Sequence, residues 1–388
     1  MDTARPVSSS LVVTVWCLFA AVSLSYADIL SGVQLVTDFS NNLVPKLFQA
    51  LAPGRENLVV APFGLATNIA MLLEAANGDT AKEILKAVNI SPNSIPDLRT
   101  GFKAYCDTFE AAAENQEAAG SFNMALMASS QPLLPSYRAI LNKYYRANIT
   151  HSSKLDNISV KTPADAAGAR PAAISLELRS DSGVMSHWKD YDRLAAFSFL
   201  SHEASAPFQR TPTDTVRVPM VPQVGEFRAG RISQLNAHAV EIPLEVGMVT
   251  LLLVVPDSAD NLDELLVKLP GVSLQQLVQE WLPRSDTTVS LPQLTIVSSA
   301  IDVTPFLRQL GIRLVFNATA ADLSVATTAP VVHVKSVTQD AFFSTSFVSV
   351  NSVGSLSTNL GKCFRTEPST VKFLIGVGKI TAQSQRRK

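Results

Sequence analysis

Disulfide chemistry has almost nothing to work with in this chain. Three cysteines occur in 388 residues. Cys17 lies in a segment read below as a removed leader, so Cys106 and Cys363 remain, too few for the cross-linked framework of small secreted domains. The sequence is compatible with one bridge between them or with two buried thiols. An excess of one charge is also missing: 32 Lys and Arg balance 33 Asp and Glu, a formal net charge of −1. Binding nucleic acid would call for a basic surplus, so nucleic acid is not an expected partner. The five histidines (His151, His187, His202, His238, His333) show no His-x-x-x-His spacing, and no Cys-x-x-Cys occurs, so neither a metal site nor a cofactor is expected. There is no Gly-x-Ser-x-Gly turn. Gly376-Val-Gly378-Lys379 has the wrong glycine spacing for a phosphate loop. The chain is therefore not expected to be an enzyme. Repeats and low-complexity linkers are absent, which makes a single domain the simplest organisation.

What is present begins with a leader. Residues 1–27 carry one cationic side chain, Arg5, then an apolar run from Leu11 to Leu24, then Ser25-Tyr26-Ala27, with small residues where signal peptidase prefers them. That run is short of the roughly 20 residues a membrane span needs, and no later segment is long enough. The expectation is a signal peptide over 1–27, a mature domain over 28–388, no membrane insertion, and a secreted, extracellular, monomeric protein. Asn-x-Ser/Thr sequons at Asn89, Asn148, Asn157 and Asn317 are candidate glycosylation sites. Pro92 disfavours the first.

Hydrophobic spacing predicts helices over Leu30–Leu51, through Met71 to Asn77-Gly78, over Glu110–Gly120, Ser136–Ala147, Leu262–Leu269 and Val303–Leu310. Thr80 and Glu83 have the spacing of a capping box, predicting a helix through Ile84, Leu85 and Val88. Strands are predicted at Ala125–Met127, Val216–Met220, Met248–Val255 and Val289–Ile296. Helices concentrate early and strands late, without regular alternation, which argues for a mixed α+β fold.

The block Asn57–Ile90, with Ala76-Asn77-Gly78-Asp79-Thr80 and Glu83-Ile84, resembles the opening of the serpins. The segments Val216-Arg-Val-Pro219-Met220, Ala239–Pro243, Val249–Pro256, Val289–Ile296, Phe306–Gly311, Phe316-Asn317 and Ala321–Ser324 are similar to further family segments, in family order. The resemblance implies a single serpin domain with three β-sheets and roughly nine helices. In inhibitory serpins a cleaved loop inserts as a new strand into the central sheet.

Two departures bear on that mechanism. Phe347–Gly354 is similar to the hinge strand and Gly376–Ile380 to the last strand of the family. Counting back from the latter puts the preceding strand near Lys362-Cys363-Phe364, so the short loop falls at about residues 351–362 and only Ser355–Gly361 is free of strand. Such a segment extends to roughly 25 Å, too little both to present a bait and to insert. The hinge remnant Val353, Gly354, Ser355, Leu356, Ser357 also carries two bulky residues where small ones slide between strands. Second, the polar cluster that lies beneath the sheet opening in the family becomes, by local alignment, Ala61, Gly64, Ala196 and Ser344. Losing the whole set is expected to leave no lone buried polar group. The expectation is a non-inhibitory, secreted serpin-fold glycoprotein binding an unknown protein partner. The alternatives are a working serine-protease inhibitor with Lys362 or Arg365 as bait and a small-ligand carrier.

Overall fold

The computed structural model describes residues 9–51, 58, 60–114, 118–128, 133–151, 173–186, 205–211, 214–243, 250–258, 261–272, 277–292, 294–329, 331–345 and 372–375. Helix α1 (Ser9–Leu51) starts well before Leu30, because no glycine or proline interrupts the chain between Ser9 and Ser31. Its apolar face, with Val36, Phe39, Leu43 and Leu47, is buried. Helix α2 (Pro62–Ala75) is buried on every side, the pattern of a central helix and not of a surface one. Pro62 begins it, where a missing N–H costs nothing. Among the described residues, α3 (Gly78–Val88), α4 (Ile95–Glu114), α5 (Pro135–Tyr145), α6 (Leu262–Lys268) and α7 (Thr304–Leu310) complete the α-helices.

The Thr80–Glu83 pair does not form a capping box. Glu83 Oε1 instead accepts the backbone N–H groups of Arg313 and Leu314 at 2.6 and 2.7 Å, and Thr80 Oγ1 accepts that of Asp322 at 3.0 Å. Both side chains satisfy donors of a distant loop, so a local spacing serves a long-range dock. The predicted helix over Glu110–Gly120 is also corrected. Helix α4 stops at Glu114, and Ala118–Gly120 open β1 (Ala118–Ala128), where cross-strand pairing overrides the helical propensity of alanine.

Strands β1, β2 (Ala147–His151), β3 (Ala173–Ser186), β9 (Leu294–Asp302) and β10 (Val331–Thr345) form a five-stranded sheet in the order β2-β1-β3-β10-β9. The β3–β10 pair in its interior is parallel. The long β5 (Asp214–Ile232) pairs first with β4 (Ser205–Thr211), then with β8 (Arg284–Pro292), and finally with β6 (Ala237–Pro243). Strand β6 continues to β7 (Thr250–Pro256), which pairs in parallel with β11 (Lys372–Ile375). One strand thus passes between two sheets, which with the five-stranded sheet makes three. Val289–Ile296 is not one strand. Strand β8 ends at Pro292 and β9 opens at Leu294, and the two join different sheets, as proline's missing donor favours.

Glu74 is buried on α2 and accepts Arg99 Nε and Nη2 at 2.6 and 2.5 Å and the Tyr145 hydroxyl at 3.0 Å. Tyr137 donates to the Met71 carbonyl at 2.9 Å. Burial, reinforced by the nearby Glu74 carboxylate, pushes both tyrosine pKa values up, so the hydroxyls remain donors. Beside them, Phe63 packs on Phe102 and Tyr105 at 5.5 and 5.4 Å between ring centroids.

Helices α1 and α4 cross at Gly32 and Gly101. A Cβ on Gly101 would lie 2.1 Å from the Gly32 carbonyl oxygen, and one on Gly32 would lie 2.4 Å from that of Asp97. The backbones touch, and the Thr37 hydroxyl bonds that of Tyr105 farther along. Gly101→Ala is expected to lower stability by about 1–3 kcal/mol through overpacking. Gly271→Ala, with nothing within 4 Å of the added carbon, should stay near wild type; urea midpoints of the two variants test the contrast.

Candidate functional site

The structural feature that most constrains function is the seam between β3 and β10. Parallel pairing is slightly weaker per residue than antiparallel pairing. The register is also interrupted: Val334 stands opposite Leu176 and Ser336 opposite Glu177, so Lys335 is an extra residue in a bulge. Beyond it, Val337, Gln339 and Ala341 alternate inward and are buried.

Gln339 is the polar member of that apolar set. It stands in register with Ser180 of β3, and both are fully buried. Its Oε1 accepts the Ala61 N–H at 3.0 Å, tying the seam to the N-terminus of α2. An amide in this place satisfies a backbone donor that has no partner inside the helix. Asn68 is also fully buried on α2, two turns beyond Ala61. Among the described residues, both polar atoms of the Asn68 amide, Ser180 Oγ and Gln339 Nε2 have no hydrogen-bond partner. The expectation that no lone buried polar group remains is therefore corrected. The interior under the seam keeps polar chemistry, carried by residues other than the family set.

Ala61 and Gly64 are buried at the start of α2, and Ala61 takes part at the seam through its backbone. Ser344 is displaced from that place. It pairs in register with Thr295 of β9 near the end of β10, whereas Gln339 is the β10 residue that reaches Ala61. Ala196, Asn157, the hinge remnant Val353–Ser357, Lys362, Cys363, Arg365 and the Gly376–Ile380 strand lie outside the described residues. Cys106 is buried on α4. Asn89, Asn148 and Asn317 are exposed. Asn89 is left-handed at the end of α3, with φ 55°. Asn317 Oδ1 accepts both the N–H and the hydroxyl of Thr319. Among the described residues no group of three or more His, Cys, Asp and Glu is arranged to hold a metal.

Sequence reasoning missed Gln339 because it searched for the family's residue types. The readable signal was positional, a glutamine on the inward beat of an apolar alternation. His333, also on β10, is buried, and Nδ1 has no partner among the described residues. Burial holds its pKa below the ordinary histidine value.

Residues 34–162 and 196–369 match the model of the family described as serpin (serine protease inhibitor). The chain is similar to leukocyte elastase inhibitor A of Mus musculus, 24% identical over 300 residues that span 72% of this chain and 77% of that protein. The solved structure of mouse protein-Z dependent protease inhibitor is similar with a TM-score of 0.67 at 17% identity, covering 90% of this chain and 92% of that one. Human thyroxine-binding globulin, solved in complex with thyroxine, gives 0.65 at 16% identity, covering 83% and 89%. At these identities the structural likeness speaks for the fold alone.

Two outcomes are expected at the seam. Gln339→Leu leaves the buried Ala61 N–H without its acceptor and should cost about 1–3 kcal/mol in urea unfolding. His333 binds a proton more readily unfolded than folded, so its contribution is present above the unfolded pKa and is lost as pH falls through the lower folded value. The melting temperature should therefore drop between about pH 7.5 and about pH 5.5 by less in His333→Gln than in wild type.

Proposed function

The chain belongs to the serpin family, and from that premise we propose that it is a secreted binding or regulatory module that has lost protease trapping by loop insertion. The observation that carries this reading is the Gln339 tie. Trapping requires β3 and β10 to part and admit a strand; Gln339 fastens β10 to the start of α2, and α2 packs on β3 as well, so the two strands part only if one of them shifts against that helix. The hinge sequence agrees, since Val353 and Leu356 are bulky where a sliding strand favours small side chains. Its partner by this account is an extracellular protein that recognises the folded surface.

A second reading, an inhibitor with Lys362 or Arg365 as bait, has its own supporting observation. Lys362 and Arg365 stand between β10 and β11 in the sequence, where by this reading they belong to a presented loop. A reversible inhibitor that presents this connection without inserting it would suit both observations. The third reading, a small-ligand carrier, draws on the likeness to thyroxine-binding globulin and requires an apolar pocket.

Incubation of the mature protein with trypsin separates the first two. The expected outcome is no SDS-resistant complex and no rise in melting temperature after a cut in residues 354–365. A covalent complex, or a large rise on cleavage, would overturn the proposal and make the connection a working trap. Reversible inhibition without either would select the second reading. Secretion and modification are checked together. Expressed with its leader in animal cells, the protein should reach the medium and lose mass on N-glycosidase treatment, from glycans at Asn148 and Asn317 and not at Asn89.

A further inference from the structure

The outer side of the β3–β10 seam carries charge in a specific arrangement. Lys335 Nζ lies 2.7 Å from Glu177 Oε1. Arg179 holds Asp340 Oδ2 through Nε at 2.7 Å and Nη2 at 2.5 Å. Both pairs bridge the two strands, and they do so in opposite senses: β3 supplies the acid in one and the base in the other. The carboxylates are the better-buried ends, with Glu177 at 21% and Asp340 at 13% side-chain exposure, against 48% for Lys335 and 53% for Arg179.

Irregular backbone lies beside both contacts. Lys335 is the extra residue of the bulge against β3. Asp340 sits at a second irregularity, between Gln339 and Ala341 in the pairing with β9. There Ala300 adopts φ 50° and donates its N–H to Asp340 Oδ1 at 2.8 Å. One carboxylate therefore engages β3 on one side and β9 on the other. Its neighbour Gln339 secures the same point to α2 from beneath.

We propose that the Glu177–Lys335 and Arg179–Asp340 pairs form an electrostatic latch that sets how readily the seam opens. The inference rests on the reading above in taking this seam as the place where the sheet would open. Admitting a strand moves β3 and β10 apart by a further interstrand spacing of about 4.8 Å, which takes both pairs out of contact. The latch therefore acts on every opening path that passes between these strands. Its basic ends are half exposed, so dissolved salt weakens it. The amide tie beneath is neutral and does not respond in the same way.

Hydrogen–deuterium exchange on the full-length mature protein reads the latch directly. Raising sodium chloride from about 0.05 M to about 1 M should speed exchange of amides in 173–181 and 331–340 about fivefold, with β6 and β7 unchanged. The Arg179→Gln/Lys335→Gln variant removes only the half-exposed ends. It should exchange at the fast rate at both salt concentrations. The swap Glu177→Lys with Lys335→Glu should restore slow, salt-sensitive exchange, which a merely structural role for either residue would not. Salt-independent exchange in wild type, a variant matching wild type at low salt, or a swap that fails to restore protection would each overturn the latch. Trapping of trypsin by wild type would defeat the functional reading while leaving these exchange rates intact, so the two failures are distinguishable.

Discussion

A parallel pair inside a sheet has no hairpin to hold its strands in register, so β3 and β10 depend on what lies above and below them. Beneath, Gln339 gives its carbonyl to the first free N–H of α2. Above, the two oppositely directed ion pairs cross the gap. Because Gln339 and Asp340 are adjacent, the inward and outward restraints meet at one point of β10. That point also sits where β10 slips against β9, so four elements converge on two residues. The central helix α2, buried on all sides, is positioned against the sheet through this contact, and the Glu74 network then secures α4 and α5 to the same helix.

The restraints differ in kind. The Glu74–Arg99 pair is largely sheltered and belongs to the folded core, where removing one partner would leave a buried charge. The seam pairs are half in water, where an ion pair contributes modestly. A core held by the first kind and a seam held by the second give a molecule whose weakest interior pairing is also its most adjustable one. That places sensitivity to solvent conditions at the feature on which family mechanism turns.

Much of the architecture was legible in the sequence because burial follows spacing. The helical repeat Val36, Phe39, Leu43, Leu47 gave α1 its buried face, and the apolar run Met248–Val255 marked β7. Errors came where long-range contacts outweighed local pattern. Thr80 and Glu83 have capping-box spacing but satisfy donors beyond residue 312. Ala118–Gly120 read as helix until β3 paired with them. Val289–Ile296 reads as one strand because apolar residues recur on both sides of Pro292-Gln293, although its two ends pair into different sheets. The site was less legible still: Ala61 was found through Pro62, but its partner was sought by residue type at Ser344. The bulge at Lys335 shows in the sequence only as a change of phase between Val334 and Val337, and the slip at Asp340 against β9 leaves no trace in the period-two pattern of β10.

The crossing of α1 and α4 at Gly32 and Gly101 has a consequence for synthesis. The ribosome delivers α1 first, and its face of Val36, Phe39, Leu43 and Leu47 has no cover until later helices emerge. Backbone contact of this kind tolerates no substitute partner, since any side chain at either glycine would hold the helices apart. This contact can close only after α4 has followed α1 out of the exit tunnel, so synthesis order sets the earliest moment at which the buried face of α1 gains its partner.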